Sequence, residues 1–424
     1  MLRAIGQTMT TPQHDQDNLV EVQLTGWAYG GEALGRAQNG RMIFAPFCLA
    51  DEHVIGTIIE ERSRWARILP QEWLQLSPDR IDARCPHFTQ CGGCHYQHIP
   101  YELQAQIKAE IVREQLKRIG GLSDPEVAET VSSPLPWHYR NHMRYRVTQD
   151  GTLGLMAFDG KHPFQLKQCF LPDQEGLALR SRIDLPQGSA IEQVGVRIGS
   201  HADPMIIFHG DMDKVAEVEL DFPASVVWQD QQRWQVLAGE GAIHFEIMEH
   251  NFQVSPPSFF QVNSSILPSL IEQVLSALDL RPEMTFFDLY AGVGLFSAYA
   301  AQRGARVYAV EESPAASHDF EVNLRGFGDV WLYEAPVEDA LPAIEVAADV
   351  VLVDPPRSGL SRAALDAILK LNPTRITYLS CDLGTYARDA KRLTAGGFQL
   401  EQVTPIDLFP QTYHIETLSS WRRA

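Results

Sequence analysis

Between positions 265 and 379 five short apolar runs, at 285–289, 306–310, 330–333, 349–353 and 375–379, alternate with segments of helical period such as 265–278 and 362–371. Strands of that length separated by helices call for a mostly parallel sheet with helices on both faces, and such sheets keep their ligands outside the carboxyl ends of the strands. The last run closes on Ser380-Cys381-Asp382, which sets Cys381 at that edge. A lone free cysteine is ordinarily buried and inert. The residues delivered to the same edge by the other runs change that reading.

The first run, Phe286-Phe287-Asp288-Leu289, enters the turn Tyr290-Ala291-Gly292-Val293-Gly294 and then a helix. Glycines allow the tight turn and a close approach of ligand to backbone, and the helix start offers free N–H groups. Glu311 ends the next run about 20 residues on, where an acid can accept both hydroxyls of a ribose. A dinucleotide site asks for a third glycine where this chain has Ser297. S-adenosylmethionine has no pyrophosphate to cradle, so the shorter pattern suits it better. The plainer reading is a tight turn followed by a surface glutamate.

Asp354 follows the fourth run and precedes Pro355-Pro356-Arg357-Ser358-Gly359, whose prolines restrict the backbone beneath a carboxylate at the sheet edge. Near the C-terminus, Phe409-Pro410-Gln411-Thr412-Tyr413-His414-Ile415-Glu416-Thr417 carries Glu416 into a further strand over 414–421. Burial there raises a carboxyl's pKa and lets it exchange protons. A thiol, a carboxylate and a candidate base therefore belong to one crevice.

The N-terminal part has a different texture. The first 18 residues are polar and aperiodic and read as a mobile tail. Short apolar runs broken by glycine over 19–74 suggest a small OB-like β-barrel. Over 102–119 a helix is expected, stopped by Gly120-Gly121. From 131 to 254, turns at Asp150-Gly151 and Asp159-Gly160 mark hairpins in a mainly-β central domain. The resulting division is tail 1–18, barrel 19–74, central domain 75–260 and α/β domain 261–424.

With a formal net charge of −19 over 424 residues, the chain is no general polyanion binder, so a nucleic-acid surface has to be a local basic patch. The candidates are 108–118 and the aromatic and cationic stretch 137–146, whose plainer reading is an amphipathic strand with one solvated basic face. No apolar stretch reaches a membrane span and no signal-peptide core precedes the barrel, which points to the cytoplasm. Six cysteines are too few for a disulfide framework. Cys48 belongs to an apolar run and reads as core. Cys85, Cys91 and Cys94, with Cys169 much later, have the thiolate grouping of a zinc or an iron–sulfur site, and ligand type alone chooses neither.

Taken together, the barrel, the cysteine group, Phe259-Phe260-Gln261-Val262-Asn263, the glycine turn, Asp354-Pro355-Pro356-Arg357, Ser380-Cys381-Asp382 and His414-Ile415-Glu416-Thr417 resemble, in one order, the RNA uracil-5-methyltransferase family. The resemblance runs from about Leu19 to the C-terminus. It implies a Rossmann-like methyltransferase domain behind a TRAM-like barrel. It implies S-adenosylmethionine contacts at Gln261, Tyr290, Glu311 and Asp354, a nucleophile at Cys381 and a base at Glu416. It also implies a 4Fe-4S cluster on Cys85, Cys91, Cys94 and Cys169, and structured RNA, 23S rRNA in the branch with barrel and cluster, as partner. Leu295 departs from the family where some members carry a cofactor-contacting Asn, and Leu383-Gly384 replaces the commoner Pro-Ala after the nucleophile. The competing expectations are a transfer RNA substrate, an RNA-binding protein with a retired catalytic domain and, least supported, a zinc-dependent hydrolase.

Overall fold

A computed structural model describes residues 18–185, 188–215, 219, 221–230 and 233–424. Apart from Asn18, the expected tail lies outside the described residues. Two units separate: Met1–Asp82 with His98–Pro100, and Ala83–Gln97 with Tyr101–Ala424.

In the first unit, β1 (Leu19–Ala28), β2 (Glu32–Arg36), β3 (Met42–Pro46), β4 (His53–Glu61) and β5 (Trp65–Gln75) close a barrel in the order β1-β2-β3-β5-β4. Alternate residues, among them Val22, Leu24, Ile43, Val54 and Ile68, fill its interior, as a period of two requires. Cys48 is in that core, 2% exposed. Buried Glu52 accepts from the Arg80 guanidinium at 2.5 Å, from Trp73 Nε1 at 3.0 Å and from the Leu49 N–H at 2.9 Å, so its charge is compensated.

The second unit begins its regular structure with α1 (Tyr101–Gln115), which ends earlier than its apolar spacing suggests. Leu116–Gly120 widen into a π turn, and Gly121 stops it at φ 72°. A seven-stranded sheet follows, formed by β6 (His142–Val147), β7 (Leu153–Met156), β8 (Pro163–Gln165), β9 (Ile191–Ile198), β10 (Pro204–Gly210), β11 (Ser225–Gln229) and β12 (Trp234–Ala238), with α2 (Gln174–Ser181) between β8 and β9. Its order is β12-β11-β10-β9-β6-β7-β8, with β10 and β11 parallel and the other pairs antiparallel. Turns at Gly151 and Gly160 make the hairpins expected from their Asp-Gly pairs. In β6, Met143 and Tyr145 are buried while Arg144 and Arg146 are exposed, so the strand is amphipathic over 142–147 with one basic face in solvent, while 137–141 lie outside it. A hairpin of β13 (Ile243–Ile247) and β14 (His250–Val254) leads to the α/β part.

There the chain forms α3 (Leu267–Ala277), β15 (Thr285–Leu289), α4 (Leu295–Gln302), β16 (Arg306–Glu311), α5 (Pro314–Asn323), β17 (Val330–Glu334), α6 (Val337–Ala340), β18 (Val350–Val353), α7 (Arg362–Leu371), β19 (Arg375–Ser380), α8 (Leu383–Ala395), β20 (Phe398–Ile406) and β21 (Glu416–Arg423). The sheet order is β17-β16-β15-β18-β19-β21-β20, with β15 to β19 parallel and β21 antiparallel to both its neighbours. Phe286, Phe287, Val350–Val353 and Leu379 are buried because helices cover both faces. Order reverses between β16 and β18 around β15, which opens the ligand crevice at the carboxyl ends. No helix among the described residues is long and apolar enough to cross a membrane.

Candidate active site and cysteine cavity

Strand register assembles the crevice. Ser380 of β19 pairs with Thr417 of β21, so by the same antiparallel register Cys381, one residue later in the chain, falls beside Glu416, one residue earlier. Val353 of β18 pairs with Tyr378 of β19 and with Leu289 of β15, and the Asp354 N–H donates to the Leu289 carbonyl at 3.2 Å. Asp354 therefore lies between the thiol and the glycine turn. Leu289 also pairs with Val310 of β16, which brings Glu311 beside Tyr290.

The turn itself explains its residue types. Tyr290 holds φ 65°, strained for a side-chain-bearing residue, and its N–H and that of Ala291 donate to the Val310 carbonyl at 2.9 and 3.1 Å. Gly292 has φ 57°, and a Cβ there faces open space, room for an approaching ligand. At Gly294, φ 87°, a Cβ meets Leu324 at 2.4 Å, so only glycine fits. Glu311 Oε2 accepts from the Gly292 N–H at 2.9 Å and Oε1 from the Ser313 N–H at 2.8 Å, which fixes the carboxylate against the turn.

Ser297, standing where a dinucleotide site has glycine, donates its hydroxyl to Asp288 Oδ2 at 2.6 Å. Asp288 is 1% exposed, and burial, aided by the negative Glu311 and opposed by the Ser297 hydroxyl, pushes its carboxyl up to about 7. Asp354 is likewise raised to about 7, by burial of its carboxyl and then by Asp288. Glu416, 3% exposed, is lifted well above the usual carboxylate range by burial and by Asp354, with Arg357 opposing. Burial pushes the Cys381 thiol up to about 12, with Glu416 and Asp354 adding to it and Arg357 working against it. The result is a file of carboxyls, Asp288, Asp354 and Glu416, running from the cofactor turn to a half-buried thiol, with one exposed cation near its end.

Asp288 and Arg357 were not singled out by sequence reasoning. An aspartate inside the otherwise apolar run Phe286-Phe287-Asp288-Leu289 is the signal that was available. At Gln261, the Asn141 Nδ2 donates to the backbone carbonyl at 3.0 Å, and the residue is 8% exposed. Next to it Phe260 stacks on Phe245 at 4.4 Å, while Phe259 is exposed. A cavity of about 400 Å³ opens at the carboxyl ends of β15 to β18, lined by Tyr290, Val310, Ala335, Val337 and Pro356. Beyond Cys381, Leu383-Gly384 open α8, and Asp382 caps it by accepting from the Thr385 N–H at 2.8 Å, so the unusual pair continues a normal helix start.

Cys85, Cys91, Cys94 and Cys169 line one cavity of about 440 Å³, with Phe88, Leu171 and Arg140. All are free thiols. Burial raises each of them, Cys91 to about 11, and for Cys91 and Cys94 the other cysteines add to the effect. Among the described residues no three His, Cys, Asp or Glu side chains are gathered tightly enough for a single ion. Four thiols on one wall are a donor set suited to zinc or to an iron–sulfur cluster, and ligand type alone chooses neither.

Residues 341–421 match the family of tRNA (uracil-5-)-methyltransferases. Uncharacterized RNA methyltransferases of Gloeobacter violaceus and Aquifex aeolicus are each 30% identical to this chain. The first alignment covers 96% of this chain and 97% of that one, the second 95% and 98%. The chain belongs to the RNA uracil-5-methyltransferase family. The tRNA (uracil-54, C5)-methyltransferase of Pyrococcus abyssi, solved with S-adenosyl-L-homocysteine, superposes with a TM-score of 0.71 at 22% identity, over 96% of this chain and all of that one. The methyltransferase fold is thereby shared. As an RNA (uracil-5-)-methyltransferase, the protein acts on a carbon that is itself a poor nucleophile.

Proposed function

We propose that the enzyme transfers a methyl group from S-adenosylmethionine to carbon 5 of one uridine in 23S ribosomal RNA, through a covalent adduct of Cys381 at carbon 6. The observation that carries this reading is the β19–β21 register, which seats Cys381 beside Glu416. Bound S-adenosylmethionine supplies an electrophilic methyl group on a sulfonium; Gln261, Tyr290, Glu311 and Asp354 would hold it. Cys381 as thiolate adds to carbon 6, and the displaced electron pair makes carbon 5 an enolate carbon able to take the methyl group. Glu416 as carboxylate then removes the proton from carbon 5. The electron pair re-forms the 5,6 double bond and the Cys381 thiolate leaves, so the net proton released is the one that left carbon 5.

Electrostatics support the same order of events. A thiol faced by two carboxyls resists ionising until positive charge arrives, and the file of carboxyls leads from the cofactor turn toward it. We assign Cys85, Cys91, Cys94 and Cys169 to a 4Fe-4S cluster that braces the domain over 75–260, and the barrel over 19–74 to RNA contact as a TRAM-like module, in a cytoplasmic enzyme whose catalytic domain is 261–424. Ribosomal RNA is the substrate favoured by the pairing of barrel and cysteine group. Transfer RNA is the second reading, favoured by the name of the matching family. Mapping 5-methyluridine in both RNAs from a strain lacking the gene separates them: loss from 23S rRNA alone is expected, loss from tRNA alone moves the substrate, and no loss in either refutes the assignment.

A further inference from the structure

The segment leading into Glu416 is held by contacts that the catalytic chemistry does not use. Gln411 is 2% exposed and has φ 68°, a backbone state that only dense support maintains in a residue with a side chain. Its N–H donates to Gln104 Oε1 at 3.1 Å, and Gln104 Nε2 donates back to Gln411 Oε1 at 3.1 Å and to the Tyr96 carbonyl at 3.1 Å. The Gln411 carbonyl accepts from the N–H groups of His95 at 2.9 Å and Tyr96 at 3.1 Å. His95 follows Cys94 directly, and its ring meets Tyr413 edge-on at 4.6 Å. On the other side of Gln411, Tyr139 donates its hydroxyl to the Pro410 carbonyl at 3.1 Å, while Tyr139 packs with Cys94 and Cys169. Lys108, fully buried, pairs with Asp407 at 2.6 Å and donates to the Phe409 carbonyl at 3.2 Å.

We infer that Gln411, clamped by Gln104 and the His95-Tyr96 backbone, is a positioning residue through which the state of the cysteine cavity sets the placement of Glu416. The chain from Cys94 to Gln411 is two residues of backbone and one pair of hydrogen bonds, and four residues separate Gln411 from Glu416. Loosening the Cys94 loop withdraws two of the donors that hold the Gln411 carbonyl, and the strained φ then has less to oppose it. The inference rests on the assignment of a cluster to that cavity for its trigger, though not for the clamp.

The test is hydrogen exchange on the full-length enzyme as purified, after removal of iron by oxygen and a chelator, and as the Gln104→Leu variant, with visible absorption and methyl transfer measured in parallel. Stripping iron is expected to raise exchange over 91–97 and 407–415 together while leaving 286–296 unchanged. Gln104→Leu, with the four cavity cysteines, Cys381 and Glu416 intact, is expected to raise exchange over 407–415 and to lower kcat about tenfold, with little change in the KM for S-adenosylmethionine. Gln411→Gly, which keeps the backbone bonds and relieves the strained φ, should retain more activity than Gln411→Ala. If stripping raises exchange at 91–97 alone, the coupling is refuted. If the purified protein holds no iron, the cluster assignment fails by its own readout, and Gln104→Leu still decides the clamp: unchanged exchange over 407–415 overturns it.

Discussion

The crevice at the sheet edge and the cysteine cavity both bury sulfur, and they differ in what faces it. Cys381 looks onto the carboxyls of Glu416 and Asp354, with the exposed Arg357 in opposition. The four cysteines of the cavity face one another, with Phe88 and Leu171 in the wall. In both places burial disfavours the thiolate, and under the proposed function each would be completed by positive charge brought from outside the chain, a sulfonium in one and iron in the other. The crevice sets a buried carboxyl, Glu416, beside its thiol, as the proposed turnover requires, whereas the cavity sets thiols beside thiols, as the proposed cluster requires.

The difference is broken most completely at Cys381, the proposed nucleophile. Cys381→Ala should abolish methyl transfer, a loss of several orders of magnitude, while S-adenosylmethionine binding by calorimetry stays within about threefold of the parent. Cys94→Ser should instead reduce the iron content and the visible absorption of the anaerobically purified protein, and retain measurable turnover. Equal and total loss of activity in both variants would erase the distinction.

A smaller effect follows from the carboxyl file. For Asp288 the folded-state value, about 7, exceeds that of an unfolded aspartate, so the native state binds more protons and its stability from this group is greatest below about pH 4. That contribution is lost as pH rises through 7, by at most about 4 kcal/mol for so deeply buried a group. Asp288→Asn should therefore flatten the fall in Tm between pH 5.5 and pH 8 seen for the parent. A steeper fall would contradict the burial argument. The smallest effect is expected at Arg357, which is exposed. Arg357→Ala should slow alkylation of Cys381 at pH 8 by about two- to threefold, because the cation that favours the thiolate is gone, while Glu416→Gln should speed it.

Much of the crevice could be read in the sequence because parallel strands buried on both faces appear as uninterrupted apolar runs. β15 begins and ends where its run does, and β19 needed only Ser380 added. β20 was not legible: Gln399, Glu401, Gln402 and Pro405 interrupt an edge strand that meets solvent on one side. Asp288 was overlooked as a functional group because its partner, Ser297, was weighed as a missing glycine. The cysteine group illustrates the opposite limit. Three of its members are neighbours in sequence, but Cys169 joins them through the fold of the central sheet, and no spacing reveals that. The clamp on Gln411 was hidden for the same reason, since Gln104 and Gln411 are far apart in the chain and glutamine has no motif value by itself.

The pairing of Cys381 with Glu416 is tested most directly by trapping. Glu416→Gln protein, incubated with S-adenosylmethionine and substrate RNA and then digested, should yield a methylated, saturated uridine bonded to the peptide that contains Cys381, because addition and methylation proceed and the proton on carbon 5 has no base to take it. Free 5-methyluridine formed at the parent's rate without any adduct, or a nucleotide attached to another cysteine, would contradict the roles given to both residues.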